Sequence, residues 1–101
     1  MNSFWALLGQ REPETPEAVV ERVREAIDAV LREQLGEEGF ALKVRVCFAR
    51  DIECLWYLRP EIMNAIASQR GEAVAKACMT RLTLLFKGQH PGAESSRFST
   101  L

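Results

Sequence analysis

In the segment that follows Thr15, apolar side chains recur every three or four positions, which is the repeat of an amphipathic α-helix. The stripe consists of Val20, Val23, Ile27, Val30 and Leu31. Thr15 can cap the first turn, Pro16 fits that turn, and Glu17 favours the positive end of the helix. Gly36 stands where a left-handed residue would end the helix. The pattern therefore predicts a helix between Thr15 and Gly36.

The segment 41–48 has a different repeat, because apolar and other side chains alternate along it. One face of the alternation would hold Leu42, Val44, Val46 and Phe48, and the other would hold Ala41, Lys43, Arg45 and Cys47. A period of two is the repeat of a β-strand with one buried face. Because a lone strand leaves backbone N–H and C=O groups unsatisfied, we expect this strand to pair with another.

The segment 52–58 is compatible with two structures. As a strand it would alternate Ile52, Cys54, Trp56 and Leu58 and form a hairpin with the preceding strand. However, Arg50 and Asp51 do not favour the positive φ angles of a tight hairpin turn, whereas Asp51 is a good helix N-cap. Helical spacing of apolar residues also continues to Ile66, so the helix is favoured. Pro60 would then either kink this helix or begin a new one.

A second strongly amphipathic helix is predicted after Gly71, over residues 72–87. Its apolar stripe comprises Val74, Ala75, Cys78, Met79, Leu82, Leu85 and Phe86. Together these elements predict a helix-dominated α+β fold, with an amphipathic helix, one strand and two C-terminal helices. The strand would stand alone, belong to a two-stranded hairpin, or contribute to an intermolecular ribbon.

The length of 101 residues is that of a single domain. We expect an apolar arm and polar linker at 1–14, one α+β domain at 15–88, and a flexible tail at 89–101. The apolar side chains of the arm are Phe4, Trp5, Leu7 and Leu8. They are expected to pack on the core of this chain or of a neighbouring subunit. The expected core is Val20, Val23, Ile27, Val30, Val44, Val46, Phe48, Leu55, Trp56, Ile66, Cys78, Leu82 and Leu85.

The charge is distributed unevenly, although the net charge is only −1. Residues 1–38 carry a net charge of −5, and residues 39–101 carry +4. Such asymmetry indicates either that the two parts dock on each other or that the basic part faces an anionic partner. Mutual docking, together with solvated helix faces, is the favoured interpretation.

The cysteines and the apolar runs indicate the cellular compartment in which the protein is expected. Cys47, Cys54 and Cys78 are odd in number and sit among apolar residues, which is typical of buried, reduced thiols in a cytosolic protein. No apolar run approaches the roughly 20 residues that span a bilayer. The first residues also lack the basic and long apolar regions of a secretory signal. We therefore expect a cytoplasmic protein without a membrane partner.

The sequence shows no catalytic, cofactor-binding or metal-binding motif. Its single histidine, His90, lies between Gln89 and Pro91 in the predicted tail, where it is poorly placed to activate a nucleophile. The three cysteines and His90 have no metal-ligand spacing, and the six glycines are scattered rather than gathered in a phosphate-binding loop. We therefore expect a protein that is not an enzyme and that carries no cofactor.

The remaining candidates for function are interaction residues. Trp56, Tyr57 and Arg59 cluster together and are the residue types that dominate interface energies. A core of this size leaves a marginally stable monomer, so self-association is favoured. The sequence therefore predicts a homodimeric protein-interaction or regulatory module, whose partner is a second copy or another protein.

An alternative partner is DNA. Lys43 and Arg45 would lie on the outer face of the strand, with Arg50 just beyond. The predicted order of strand, helix, glycine turn and helix over 41–87 resembles the ribbon-helix-helix architecture. That resemblance implies a dimer whose basic β-ribbon enters the major groove. The chain departs from this architecture in the long first helix carrying Pro60 and in the acidic helix before the strand, so the interaction module is favoured.

Overall fold

The computed structural model describes residues 14–95, and it contains helices and turns but no strand in that part of the chain. The elements are α1 (Pro16–Leu35), a 3₁₀ turn (Gly36–Gly39), α2 (Phe40–Phe48), α3 (Ile52–Trp56), α4 (Arg59–Arg70), α5 (Glu72–Leu85) and α6 (Pro91–Ser95). The predicted predominance of helix is confirmed, but the α+β fold class is wrong. The predicted arm at residues 4–8 lies outside the described residues.

The error lies in the segment 41–48, which forms the helix α2 instead of a strand. A helix satisfies its backbone groups internally, whereas a strand here would have no partner strand in the described chain. Arg24 on α1 completes the helix, because its Nη1 donates to the carbonyl oxygens of Val46, Cys47 and Ala49 at 2.7, 3.0 and 2.8 Å. These acceptors belong to the end of a helix, where carbonyls lack partners within the helix itself.

The other helices follow their local signals. The Thr15 hydroxyl accepts a 3.0 Å bond from the Ala18 N–H, and Gly36 ends α1 with a φ angle of 56°. The Asp51 carboxylate accepts a 2.9 Å bond from the Cys54 N–H, so the favoured helical interpretation of the next segment is confirmed. Pro60 lies in the first turn of α4, and it therefore begins a new helix rather than kinking an old one.

The core lies where α1 contacts α4 and α5, which also pack against each other. Its largest fully buried side chains are Phe86, Ile27, Leu31, Leu55, Ile62, Ile66 and Met79. Most of the expected core residues are buried, but Val44 and Phe48 are exposed and Leu85 is only partly buried. Both exposed residues belong to α2. The two-residue repeat of the predicted strand puts them on the buried face, whereas the 3.6-residue repeat of the helix turns them outward.

The chain beyond Gly88 contacts this core. Ala93 in α6 is buried, and the His90 ring stacks on Trp56 at a centroid distance of 4.5 Å. Among residues 14–95, no helix combines the length and the apolar character needed to cross a bilayer.

Candidate interaction surface

The outer face of α2 is an exposed apolar stripe. Phe40, Val44 and Phe48 follow one another at four-residue intervals and are 67%, 37% and 76% exposed. Ala41 and Cys47, which are also exposed, flank them on the same side of the helix. At 3.6 residues per turn these five positions span an arc of about 120°, and none of them is charged. We call this set of five residues the α2 face.

The α2 face is bordered by basic side chains that are already paired with acids. Lys43 Nζ lies 4.0 Å from Asp28 Oδ1 on α1. Arg45 forms a two-pronged ion pair with Glu61 on α4, and its Nη2 is 3.1 Å from Glu61 Oε2. Exposed pairs of this kind contribute only about 0–1 kcal/mol to stability. Their main effect is to leave the edges of the α2 face close to electrical neutrality.

These positions remove the basis for the predicted DNA-binding ribbon. Lys43 and Arg45 lie on a helix, so they cannot form the outer face of a β-ribbon. Each is also partnered by a carboxylate, which reduces the positive potential available to a phosphate backbone. Arg50 is exposed in the loop between α2 and α3. The structure therefore brings two of the three predicted DNA contacts to the rim of an apolar face.

Helix α2 is held firmly against α1, so the α2 face has a defined orientation. The three carbonyl bonds from Arg24 anchor its C-terminal end, and the buried side chain of Val46 packs into the core. The 3₁₀ turn fixes the other end, where Gly39 packs against Leu35: a Cβ at Gly39 would lie 3.1 Å from the Cβ of Leu35. The apolar stripe therefore faces away from α1, because the Val46 side chain and the last carbonyls of α2 are bound on the other side.

A groove continues the apolar surface beyond the C-terminal end of α2. It has a volume of about 490 Å³. Its uncharged lining residues are Phe48, Ala49, Cys54, Tyr57 and Leu58, and its charged ones are Arg45 and Glu53. We call it the Tyr57 groove, because the ring of Tyr57 is 65% exposed beside it.

The wall of the Tyr57 groove is set by the start of α3. The Cys54 N–H bond to the Asp51 carboxylate lowers the pKa of Asp51 below its ordinary value, because the bond stabilises the charged form. The cap holds the first turn of α3 in place and keeps Cys54 on the exposed side. The cap therefore fixes the backbone that carries this side of the groove.

The predicted interface residues separate into two environments. Tyr57 is at the surface, but Trp56 is only 7% exposed and belongs to the core. The Arg59 guanidinium carbon lies 3.4 Å from the centroid of the Trp56 ring, and His90 is stacked on the same ring with an interplanar angle of 14°. Because both lie within stacking distance of one ring, they cover opposite faces of the indole. Trp56 is thus a packing centre.

Arg59 belongs to this internal cluster and is bound within it by hydrogen bonds. Its Nε donates to the Trp56 carbonyl oxygen at 3.2 Å, and its Nη1 donates to Thr83 Oγ1 at 3.4 Å. Burial lowers the pKa of the Arg59 guanidinium below its ordinary value, because the charged form is removed from water. Of the three predicted interface residues, only Tyr57 presents most of its side chain to a partner.

The thiols and the histidine form no arrangement that points to catalysis. Cys47 and Cys54 are exposed, contrary to their predicted burial, and only Cys78 lies in the core. His90 Nδ1 accepts a 3.0 Å bond from the Gly92 N–H, and its Nε2 lies 3.9 Å from Glu53 Oε2. Within residues 14–95, no group of three or more His, Cys, Asp or Glu side chains is placed to hold a metal ion.

Phe40 is the residue that the sequence reasoning missed. The interpretation of 41–48 as a strand began one residue after it. A helical count from Phe40 places Val44 and Phe48 at the next two four-residue steps, and that signal would have identified the stripe. The alternation along 41–48 hides this signal, because it groups residues two positions apart on one face.

No family model, no curated protein and no solved structure matches this chain. The α2 face and the Tyr57 groove are therefore interpreted from their own chemistry. Both are apolar, both border paired charges, and they meet at Phe48.

Proposed function

We propose that this protein is a non-enzymatic protein-interaction or regulatory module that works as a homodimer, and that the α2 face binds the same face of a second copy. The observation that carries the proposal is the exposure of two phenylalanines and a valine in one uncharged stripe. Contiguous apolar surface of this kind is typical of interaction sites. Burying a large apolar side chain stabilises an assembly by about 1.5–3 kcal/mol.

The spacing of the stripe supports a second copy as the occupant. Phe40 and Phe48 lie four residues before and after Val44, so a two-fold axis through Val44 would place Phe40 against the partner subunit's Phe48. Two ridges of four-residue spacing pack into each other at a crossing angle of about −50°. The stripe is therefore complementary to itself, which is what an isologous interface requires.

The charges at the rim support the same occupant. Two copies brought together at the α2 face would each carry Lys43 and Arg45 at the border, and unpaired like charges would oppose the contact. Asp28 and Glu61 reduce this repulsion within each copy. Asp28 and Glu61 therefore lower the electrostatic cost of the proposed contact.

The area of the α2 face predicts the strength of the dimer. A large aromatic side chain buries about 150–250 Å² when fully enclosed, so two partly exposed phenylalanines with their small neighbours provide on the order of 400–500 Å² per copy. A standard stable interface buries about 800 Å² per partner. We therefore expect a weak, reversible dimer with a dissociation constant in the micromolar range or above.

We place the module in the cytoplasm on the basis of its thiols. Cys47 and Cys54 are exposed and unpaired, and Cys78 is a buried free thiol. Free surface thiols persist in reducing compartments, whereas oxidising compartments convert them to disulfides. Subcellular fractionation of the untagged protein tests this placement, and recovery of the protein outside the cytoplasmic fraction would contradict it.

The dimer is tested by sedimentation velocity and light scattering over a wide concentration range. The wild type is expected to move from monomer to dimer as its concentration rises. Val44→Glu places a charge in the centre of the contact, and Phe40→Glu places one where Phe40 would meet the partner subunit's Phe48, so both variants are expected to stay monomeric. Leu84→Glu is the matched control, because Leu84 is 59% exposed on α5 and lies outside the α2 face.

Two results would contradict the α2 dimer. One is a wild type that remains monomeric at the highest concentration reached. The other is a dimer that persists with unchanged affinity in Phe40→Glu or Val44→Glu. Far-UV circular dichroism of each variant confirms that the helices are intact, so that a loss of association is not mistaken for a loss of fold.

A further inference from the structure

The Tyr57 groove is a second apolar surface, which begins at Phe48 and extends beyond the α2 face. Its floor contains Ala49 and Leu58, which are buried, and its exposed wall contains Cys54 and Tyr57. The volume of about 490 Å³ lies within the range of cavities that enclose an organic ligand or several side chains. Two of its seven described lining residues, Arg45 and Glu53, are charged and opposite in sign, and the other five are uncharged. The groove therefore suits an apolar, uncharged ligand.

We propose that the Tyr57 groove binds the apolar segment 4–8 of the same chain. This segment contains Phe4, Trp5, Leu7 and Leu8, and no residue from 1 to 10 has a charged side chain. Its chemistry therefore matches the lining of the groove. The groove shares Phe48 with the α2 face, but its other lining residues lie outside that face, so the proposal is tested separately from the dimer.

The length of chain before α1 is sufficient for this contact. Glu14 is tied beside α1 by bonds of 3.0 and 3.2 Å from Arg22 Nε, which fixes the point from which the segment departs. From Thr15 to Arg24 the rise along α1 is about 13.5 Å. The Arg24 guanidinium in turn contacts the carbonyl oxygen of Ala49 on the groove floor. The groove therefore lies on the order of 20 Å from Glu14.

Residues 4 and 5 are ten and nine positions before Glu14. An extended chain spans at most about 3.3–3.6 Å per residue, so these two side chains can reach roughly 30 Å from that point. This exceeds the distance to the groove, even when the segment has to pass around α1. Phe4 and Trp5 are therefore the expected occupants of the groove, with Leu7 and Leu8 along the approach.

Fluorine NMR of protein labelled with 5-fluorotryptophan tests the proposal. The two tryptophans give two resonances, and Trp5→Phe identifies the signal of Trp5. Trp56 is enclosed by Arg59 and His90, so its resonance reports whether each sample is folded. A synthetic peptide of residues 1–10 carrying the same label provides the position of an unbound Trp5.

In the wild type, the Trp5 resonance is expected to be displaced from the peptide position. In Tyr57→Ser it is expected to return to that position while the Trp56 resonance still reports a folded core. Leu84→Ser, the matched control, is expected to leave the Trp5 resonance where it is in the wild type. A wild-type Trp5 resonance at the peptide position, or one that Tyr57→Ser does not move, would overturn the proposal.

Dilution of the protein distinguishes the segment of the same chain from that of a partner copy as the occupant of the groove. Binding within one chain predicts a Trp5 resonance that stays constant while sedimentation shows the dimer dissociating, and that is unchanged in Phe40→Glu. A resonance that follows the dimer equilibrium would show that the segment binds the groove of the partner copy, which contradicts binding within the chain. Because the α2 dimer is measured by sedimentation alone, failure of either proposal is visible independently of the other.

Discussion

Replacement of Arg24 is the sharpest test of how α2 is held in place. One nitrogen, Nη1, donates to three carbonyl oxygens at distances of 2.7–3.0 Å, and the side chain is only 18% exposed. Arg24→Met keeps a good helix former in α1 but removes the charged donor. The carbonyls of Val46 and Ala49 are partly buried, so water replaces the lost donor only in part.

The expected loss of stability in Arg24→Met follows from the number of protons that Nη1 can donate. Nη1 has two protons to share among three acceptors, and a hydrogen bond to a charged group is worth about 1.5–3 kcal/mol. Partial hydration of the freed carbonyls offsets some of that value, so we expect Arg24→Met to lower the free energy of unfolding by about 2–3 kcal/mol. For a domain of this size the corresponding fall in Tm is roughly 8–24 °C. Arg24→Lys is expected to be intermediate, because an ammonium group on a shorter reach recovers part of the contact.

The measurement is urea unfolding followed by far-UV circular dichroism. It is carried out in the Phe40→Glu background, so that dissociation of the proposed dimer does not contribute to the apparent stability. Arg22→Met is the matched control, because Arg22 lies on the same helix but makes an exposed ion pair with Glu14. The reasoning is refuted if Arg22→Met and Arg24→Met lower the free energy of unfolding by the same amount, since the effect would then come from the loss of any arginine on α1.

Three further changes have defined outcomes. Gly92→Ala is expected to cost about 1–3 kcal/mol in urea unfolding, because the new methyl group would lie 2.6 Å from Trp56 Cζ2; a neutral result would show that α6 can move away without loss. The pKa of Asp51 is lower in the folded state, so its stabilising contribution is present above the ordinary aspartate range near 4 and is lost as the pH falls through the lowered value. Asp51→Asn should therefore flatten the acid side of a stability-against-pH curve, and an unchanged slope would contradict the Cys54 cap. Thr15→Ala is expected to lower the Tm of the domain by removing the N-cap of α1 at a cost of about 1 kcal/mol, and no change in Tm would mean that water replaces the cap.

The candidate site was only partly visible in the sequence. Tyr57 is exposed, and its role at an interface stays a prediction, whereas Trp56 and Arg59 turn inward because stacking on His90 and a bond to Thr83 enclose them. Those contacts join residues far apart in the chain, so no local sequence pattern predicts them. Lys43 and Arg45 were expected at the surface as well, yet the acids that pair with them stand on other helices.

The sequence by itself determined the helices whose signals are local. For α1, the cap at Thr15, the proline after it, the apolar stripe and Gly36 all lie within one stretch of chain, and they agree with one another. The same holds for the start of α3 at Asp51 and for Pro60 in the first turn of α4. These features depend on bonds between residues three or four positions apart, which the order of residues alone can specify.

Only the tertiary structure decided the conformation of residues 40–48. Their alternation fits a strand, and their four-residue stripe fits a helix, so the local pattern is ambiguous. The outcome depends on where the backbone groups find partners, and Arg24 supplies those partners from 22 to 25 residues away. Once the segment is helical, Val46 alone of its residues is fully buried, and Phe40, Val44 and Phe48 face outward. The long-range hydrogen bonds that favoured the helix therefore also created the proposed interaction surface.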